Sequence, residues 1–404
     1  MKNPPKLFSD FQRDGLKITD SIIKLRRWLH QNPEIGHQEF NTTKKLKAEF
    51  KKLKLRIKDD YASTGLWAEL DTGQKGPTVA VRTDIDALPI QERTNLPFAS
   101  KKAGFSHVCG HDIHAAALIG TARLLVKHKR YLRGKIKFIC QPAEEVPPGG
   151  ARPLIKAGVL KNPKVDVILA LHTDPTIPVG SIGLRDGVTM AATFDFNIRV
   201  IGKTGHAALP HKSLDAITVS AEIISGIQQV VSRMVDPIVP VAVTFGTIEG
   251  GTVRNGIAGE VLLKGTARSL SPAYAKKLPS LIKRTAVNIA RAFGAKAQFI
   301  PLADYPLFAS DKTVNNFIAR SFKTVYPNGR IMEISQFLGG EDFACYLEKV
   351  PGSMIWLGVK NKKIGADKPW HHPAFIADER ALSVGYITMA SAVANILNNW
   401  KGSR

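Results

Sequence analysis

GPTVAVRTDIDALPI, residues 76–90, sets the apolar run Val79–Val81 directly before a polar exit holding Arg82, Asp84 and Asp86. It reads as a short buried strand that leaves into a loop at Asp84. Upstream, SIIKLRRWLHQN (21–32) is an amphipathic helix, with Ile22, Leu25 and Leu29 spaced for one face. Downstream, HAAALIGTARLLVKHK (114–129) is a helix, and KIKFICQPAEE (135–145) and VDVILALHTD (165–174) are strands with their exit loops. Strands alternating with helices predict an α/β domain around a mostly parallel sheet. In such sheets ligands gather beyond the carboxyl ends of the strands. Asp84, Glu144, Glu145 and His172 all stand just after an apolar strand-like run.

From about residue 191 the pattern changes. TFDFNIRVIG (193–202) is an alternating strand and SLDAITVSAEIISGIQQVVSR (213–233) a long helix. Two strands follow (239–251 and 259–269), then a helix (273–293) and a last strand (295–303). The order βαββαβ predicts a ferredoxin-like α+β domain inserted into the larger one. The expected boundaries are 1–190 and 305–404 for a discontinuous domain and 191–304 for the insert. A chain of 404 residues is itself long for one core.

Composition narrows the classes. Lys and Arg number 57 against 34 Asp and Glu, a formal charge of +23 that attracts anions. The densest basic stretch, KKLKAEFKKLKLRIK (44–58), places Leu46, Phe50, Leu53 and Leu55 on one helical face with lysines around the rest. Without interleaved aromatics or a nucleic-acid motif it reads as a solvated face, and nucleic acid is not an expected partner. No apolar run approaches the roughly 20 residues of a membrane span, so no membrane is expected. MKNPPKLFSDFQRD, at the start, lacks the apolar core of a secretory signal. Three widely spaced cysteines argue against a disulfide framework and for a reducing cytoplasm. Neither G-x-S-x-G nor H-E-x-x-H occurs, and Gly202-Lys203-Thr204 lacks the phosphate-loop glycine where Asn197 stands.

HVCGHDIHAA (107–116) is the chemically densest segment. Cys109 and His111 lie two apart, so in an extended loop their side chains face the same way. Glu144 and Glu145 are adjacent at a strand exit, where one could bind metal while the other faces substrate. His172 follows a strand, and His371–His372 sit in a late loop. Each signal alone has an ordinary reading: vicinal glutamates are usually solvated, a lone histidine usually packs, and Cys140 and Cys345 read as small buried hydrophobes. Their joint placement at successive strand exits points to a metal site.

The chain resembles the M20-type dinuclear metallopeptidase family, which includes aminoacylases, hippurate hydrolases, auxin-conjugate hydrolases and acetyl-diaminopimelate deacetylases. The match runs in order through RTDIDALPIQE, HVCGHDIHAA, QPAEEVPPGGARPLI, ALHTDPTIPVGSIG, GKTGHAALPHKSLDAI, GGTVRNGIAGE, LKGTARSL, GGEDFACYL and HHPAFIADERAL. Cys-Gly-His-Asp with a later Pro-Ala-Glu-Glu marks the amidohydrolase branch.

The resemblance implies a zinc-peptidase-like catalytic domain and an inserted lid through which family members often dimerise. It implies two divalent ions per subunit, Mn²⁺ or Zn²⁺ first, with Co²⁺ or Ni²⁺ acceptable. Cys109, His111, Glu145, His172 and His371 would hold them, Cys109 as the bridging thiolate. His371 is preferred to His372 because the family's last ligand stands two residues before the proline, here Pro373. Glu144 would be the general base that takes a proton from a water activated by the metals, with Asp86 and the lid residue His206 completing the catalytic set. Asp84, Asp86, Asp112 and His114 would orient ligands or fix their loop. Arg254, Asn255 and Arg268 are candidates for the substrate's free carboxylate, although either arginine could belong to a surface pair. GIAGE after GGTVRN departs from the apolar residue and proline common in relatives, and the positive charge is not a family trait. The expected activity is cleavage of N-acyl amino acids (acetyl, benzoyl or aryl-acyl). The alternatives are a dipeptidase or carboxypeptidase of the same chemistry, and a catalytically silent binding or assembly relative.

Overall fold

The computed structural model describes residues 4–59 and 63–402. The first three residues of the stretch read for a signal lie outside that range. Two compact units emerge: one built from residues up to Gly187, Ala309–Ser335 and from Cys345 on, the other from Val188–Phe308 and Gln336–Ala344.

Thr78–Asp84 lies inside the eight-stranded sheet of the first unit. The order is Arg56–Lys58, Leu66–Asp71, Lys135–Gln141, Thr78–Asp84, Val167–Pro178, Gly352–Lys360, Ile182–Leu184, Ile331–Glu333. Lys135–Gln141, Thr78–Asp84, Val167–Pro178 and Gly352–Lys360 run parallel. Leu66–Asp71 and Ile182–Leu184 close the two sides of this core antiparallel. Every residue of Thr78–Asp84 is buried, as in a parallel strand covered on both faces.

One apolar cluster joins this sheet to three long helices, Pro4–Gln31, His111–Lys127 and Ala381–Asn399. It includes Phe11, Leu25 and Leu29 of the first, Ile113 and Leu125 of the second, and Ile387 and Val393 of the third. The helices meet closely at Gly120, where a Cβ would lie 2.6 Å from the Tyr386 ring. Ala381–Asn399 corrects one expectation. It is long and apolar enough to cross a membrane, its apolar residues being interrupted only by uncharged polar ones. Of its most apolar window 83% is buried in this fold, so its hydrophobicity serves the core.

The basic helix is also shorter than expected. It ends at Lys52, Lys54 takes a left-handed φ of 55°, and Arg56–Lys58 pairs antiparallel with Trp67–Glu69. Leu46 and Phe50 are fully buried while most of the lysines around them face solvent.

The second unit runs strand Ala192–Ile201, helix Ala216–Gln229, strands Val241–Gly250 and Glu260–Ser269, helix Pro272–Ala292, strand Lys296–Tyr305. Its antiparallel sheet has the order Val241–Gly250, Glu260–Ser269, Ala192–Ile201, Lys296–Tyr305, the topology of a ferredoxin-like βαββαβ unit. Phe196, Ile198, Ile223, Leu263 and Ile282 form its core.

A buried charge chain fixes the helix that begins within the HVCGHD segment. Arg26 Nε lies 2.7 Å from Asp112 Oδ2, which also meets His30 Nδ1 at 2.7 Å, and His30 Nε2 reaches Glu92 Oε1 at 3.1 Å. Burial opposes charge on His30, but Asp112 and Glu92 outweigh it and raise its pKa. Removing one partner strands a buried charge. Arg26→Met is therefore expected to cost about 3–5 kcal/mol, read as a lower urea midpoint at unchanged slope; an unchanged midpoint would show that the chain carries no weight.

Candidate metal centre

The candidate ligands meet at the carboxyl ends of the parallel strands, but local geometry differs from the extended loop expected for Cys109 and His111. Gly110 between them has a φ of 93°, and His111 is already the first residue of its helix. The side chains converge through a left-handed turn rather than strand alternation. A Cβ at position 110 would lie 2.6 Å from Thr173 Oγ1, so both the conformation and the space ask for glycine.

Hydrogen bonds on one ring nitrogen decide what the other presents. His172 Nδ1 donates to the Thr173 carbonyl at 2.8 Å and turns Nε2 to Cys109 Sγ, 3.6 Å away. His111 Nδ1 donates to the Asp86 carbonyl at 2.9 Å and lies 3.2 Å from Asp86 Oδ1, which turns Nε2 towards Glu145 Oε1 at 3.8 Å. His114 differs: the Thr173 N–H donates to its Nε2 at 2.8 Å and its Nδ1 meets Asp84 Oδ1 at 2.6 Å. With both nitrogens committed, His114 braces the site and has no lone pair to offer. His107 is buried with neither ring nitrogen hydrogen-bonded, and burial pushes its pKa down to about 3.

Glu144 and Glu145 leave the Lys135–Gln141 strand through Ala143, whose φ is 53°. The Glu145 N–H donates to Asp86 Oδ2 at 2.9 Å. His371, also left-handed with φ 63°, donates its N–H to the Val108 carbonyl at 2.9 Å and brings Nε2 to 3.2 Å from Glu145 Oε1. His372 instead accepts the Ala374 N–H on Nδ1 at 3.0 Å and closes its own turn. Of the doublet, His371 is the one that joins the cluster.

The donors fit divalent cations. Cys109, His111 and His172 form one group of three, and Cys109, Glu145 and His371 another, with donor atoms inside each group within 4.8 Å of one another. Cys109 is common to both. His111 Nε2 and Glu145 Oε1 are buried without a well-directed hydrogen bond, the state of atoms whose partner is a cation. Thiol, imidazole and carboxylate together suit zinc, manganese, cobalt or nickel. Glu144 is buried beside them, its carboxylate within 4.8 Å of the His111 and Glu145 donors.

Charge is finely poised. Burial, then Glu145, Glu144 and Asp84, push the Cys109 thiol well above its ordinary pKa. Burial disfavours a charged His111, but Asp84, Asp86 and Glu145 prevail and raise it to about 10. Burial opposes ionisation of Asp84 too, yet His111, His114 and Arg82, whose Nη1 lies 2.7 Å from Asp84 Oδ2, hold it well below the carboxylate range.

Sequence reading missed several supports. Thr173 donates its hydroxyl to the Cys109 carbonyl at 2.8 Å, and Trp370 Nε1 donates to the Thr173 carbonyl at 3.0 Å. Rings of Trp356 and Trp370 flank His172 at 5.5 and 5.6 Å. Thr173 stands beside His172 in the sequence, whereas nothing local marks Trp356 or Trp370 as neighbours of that histidine. His206, Arg254, Asn255 and Arg268 belong to the second unit. There a two-stranded ribbon pairs Gly205–His206 with Gly256–Ile257, and the Ala207 N–H donates to the Asn255 carbonyl at 3.0 Å, tying the His206 and Arg254–Asn255 segments together. Arg268 already donates one N–H to the Leu338 carbonyl at 2.9 Å.

A parallel sheet that gathers such donors beside a buried glutamate defines the class of metal-dependent hydrolases. The model of peptidase family M20/M25/M40 matches residues 80–395. N-acetylcysteine deacetylase of Bacillus subtilis (strain 168) is 40% identical over 381 residues, covering 94% of this chain and 98% of its own. Thermostable carboxypeptidase 1 of Saccharolobus solfataricus is 35% identical over 395 residues, 97% and 99% of the two chains. A crystal structure described as a dinuclear metal binding peptidase of the M20 family, from Bacillus subtilis, superposes with a TM-score of 0.81 at 37% identity, covering 95% of this chain and 99% of that one. The chain belongs to the M20/M25/M40 peptidase family.

A cation held by Cys109 and His111 must displace the protons both carry when metal-free. Metal affinity is therefore expected to fall from pH 8 to pH 6, with proton release on binding. Calorimetric titration of chelator-stripped protein in buffers of different ionisation enthalpy reads both quantities, and binding without proton release would remove the pair from the ligand set.

Proposed function

We propose that the chain hydrolyses the amide bond of N-acyl amino acids, giving a carboxylate and a free amino acid. The observation that carries this reading is the pair His111 Nε2 and Glu145 Oε1, buried without a well-directed hydrogen bond and set among donors that share Cys109, with Glu144 alongside. In this reading Cys109, His111, Glu145, His172 and His371 hold two divalent ions, Mn²⁺ or Zn²⁺ first. Bound there, the ions supply Lewis acidity that makes water a better nucleophile and offsets charge on the amide oxygen.

The chain's own groups do the rest. Glu144 takes a proton from the water as its oxygen attacks the carbonyl carbon, and delivers that proton to the nitrogen as the C–N bond breaks. Asp86 acts through His111 by fixing which nitrogen is protonated, and Asp84 does the same for His114. Asp112, anchored by Arg26, fixes the first turn of the helix that carries His111. His206 accepts the Ala208 N–H on Nδ1 at 3.1 Å, which leaves the ring proton on Nε2, the form a donor to a developing oxyanion requires. Arg254, Asn255 and Arg268 are assigned the substrate's free carboxylate. The second unit is assigned the roles of lid and homodimer contact, and the thiol's place among the ligands suits a reducing cytoplasm.

A second reading, carboxypeptidase or dipeptidase action, has the carboxypeptidase relative in its favour. One assay separates the two: amine release from N-acetyl, N-benzoyl and N-indoleacetyl amino acids and from dipeptides, by chelator-stripped protein with and without Mn²⁺. Metal-restored cleavage of acylated amino acids is expected; cleavage of dipeptides alone would favour the peptidase. Glu144→Gln should keep its metal and lose roughly 10²–10⁴-fold in kcat, whereas Cys109→Ala should lose metal and activity together. Turnover retained by Glu144→Gln would remove it as the proton carrier.

A further inference from the structure

Glu39 is a fully buried carboxylate that forms no ion pair among the described residues. Both oxygens are engaged: Oε1 accepts the Ala143 N–H at 2.7 Å and Oε2 accepts the Thr64 hydroxyl at 2.7 Å. Burial, reinforced by the charge of Asp86, raises its pKa to about 7. Desolvating such a group is costly, and an apolar side chain would fill the space more cheaply. What an apolar residue cannot supply is an acceptor.

The acceptor falls at a sensitive place. Ala143 immediately precedes Glu144 and holds a left-handed φ of 53°, a conformation disfavoured for any residue with a Cβ. Two residues on, the Glu145 N–H is held by Asp86 Oδ2 at 2.9 Å. Carboxylates thus pin the backbone on both sides of Glu144. The turn that carries Glu39 also touches this exit directly, because a Cβ on Gly36 would lie 3.1 Å from Ala143 Cα and 2.8 Å from Val146 Cγ2.

We propose that Glu39 is a positioning residue: its carboxylate holds the Ala143 N–H so that the strand-exit turn aims Glu144 at the substrate amide and Glu145 at the metal site. The inference rests on the roles given to Glu144 and Glu145 above. Three variants test it. Glu39→Gln keeps an acceptor for Ala143 and offers its NH₂ to Thr64. Glu39→Met keeps the volume and removes the acceptor, and Glu39→Asp keeps the charge and withdraws it by one methylene.

The measurements are amide hydrogen exchange over residues 142–146 in the metal-free chain, metal affinity, and kcat with KM. Glu39→Gln should stay within about threefold of wild type in all of them. Glu39→Met and Glu39→Asp should lose about tenfold or more in Ala143 amide protection, and about tenfold or more in kcat at saturating metal with KM little changed. Wild-type protection and kcat in Glu39→Met or Glu39→Asp would overturn the proposal, as would a Glu39→Gln variant as impaired as Glu39→Met. If Glu39→Met does not fold, Glu39→Asp decides. Should wild type hydrolyse nothing in the panel, the proposed function fails, and amide exchange still decides whether Glu39 holds the turn.

Discussion

The structure of the first unit is organised around a concentration of negative charge. Asp84 and Asp86 leave one strand and Glu144 and Glu145 leave its hydrogen-bonded neighbour, so four carboxylates share one end of a buried sheet. Little water reaches them, and mutual repulsion in such surroundings is strong. Everything nearby compensates. Arg82 pairs with Asp84, the rings of His111 and His114 turn their Nδ1 atoms to the aspartates, and backbone N–H groups meet Asp86 and Glu39. At His111 Nε2 and Glu145 Oε1 the hydrogen bonding is incomplete, and the surrounding donor geometry suits a cation.

Most of this was legible in the sequence because chemistry and fold coincide at strand exits. The run Val79–Val81 followed by Asp84 identified both a buried strand and the place where a ligand would sit. The βαββαβ order of the second unit could be read from its succession of strand-like and helical runs. The candidate ligand set came from motif resemblance, and spacing alone would not have supplied it: Cys109 and His111 converge not by extended alternation but because Gly110 turns the chain between them.

What stayed hidden has a common physical character. Glu39, Thr173, Arg26 and Trp370 act through hydrogen bonds and contacts across long sequence separations, and no local period announces such partners. The choice of His371 over His372 likewise depends on a left-handed backbone angle, which a side-chain pattern does not encode. Ala381–Asn399 shows the converse: its composition was readable, but only burial reveals that its apolar surface faces the core.

The interleaving of the two units has a consequence for how the chain matures. The second unit lies almost wholly in one continuous stretch, Val188–Phe308, whereas the first needs Gly352–Lys360 in its sheet and Ala381–Asn399 across its helices. During synthesis from the N-terminus, the inserted unit can acquire its core while the sheet beside Val167–Pro178 still lacks its next strand. Until then that strand presents an open apolar edge, and the helix that seals the layer follows later still. The first unit therefore completes its core later in synthesis than the unit inserted within it.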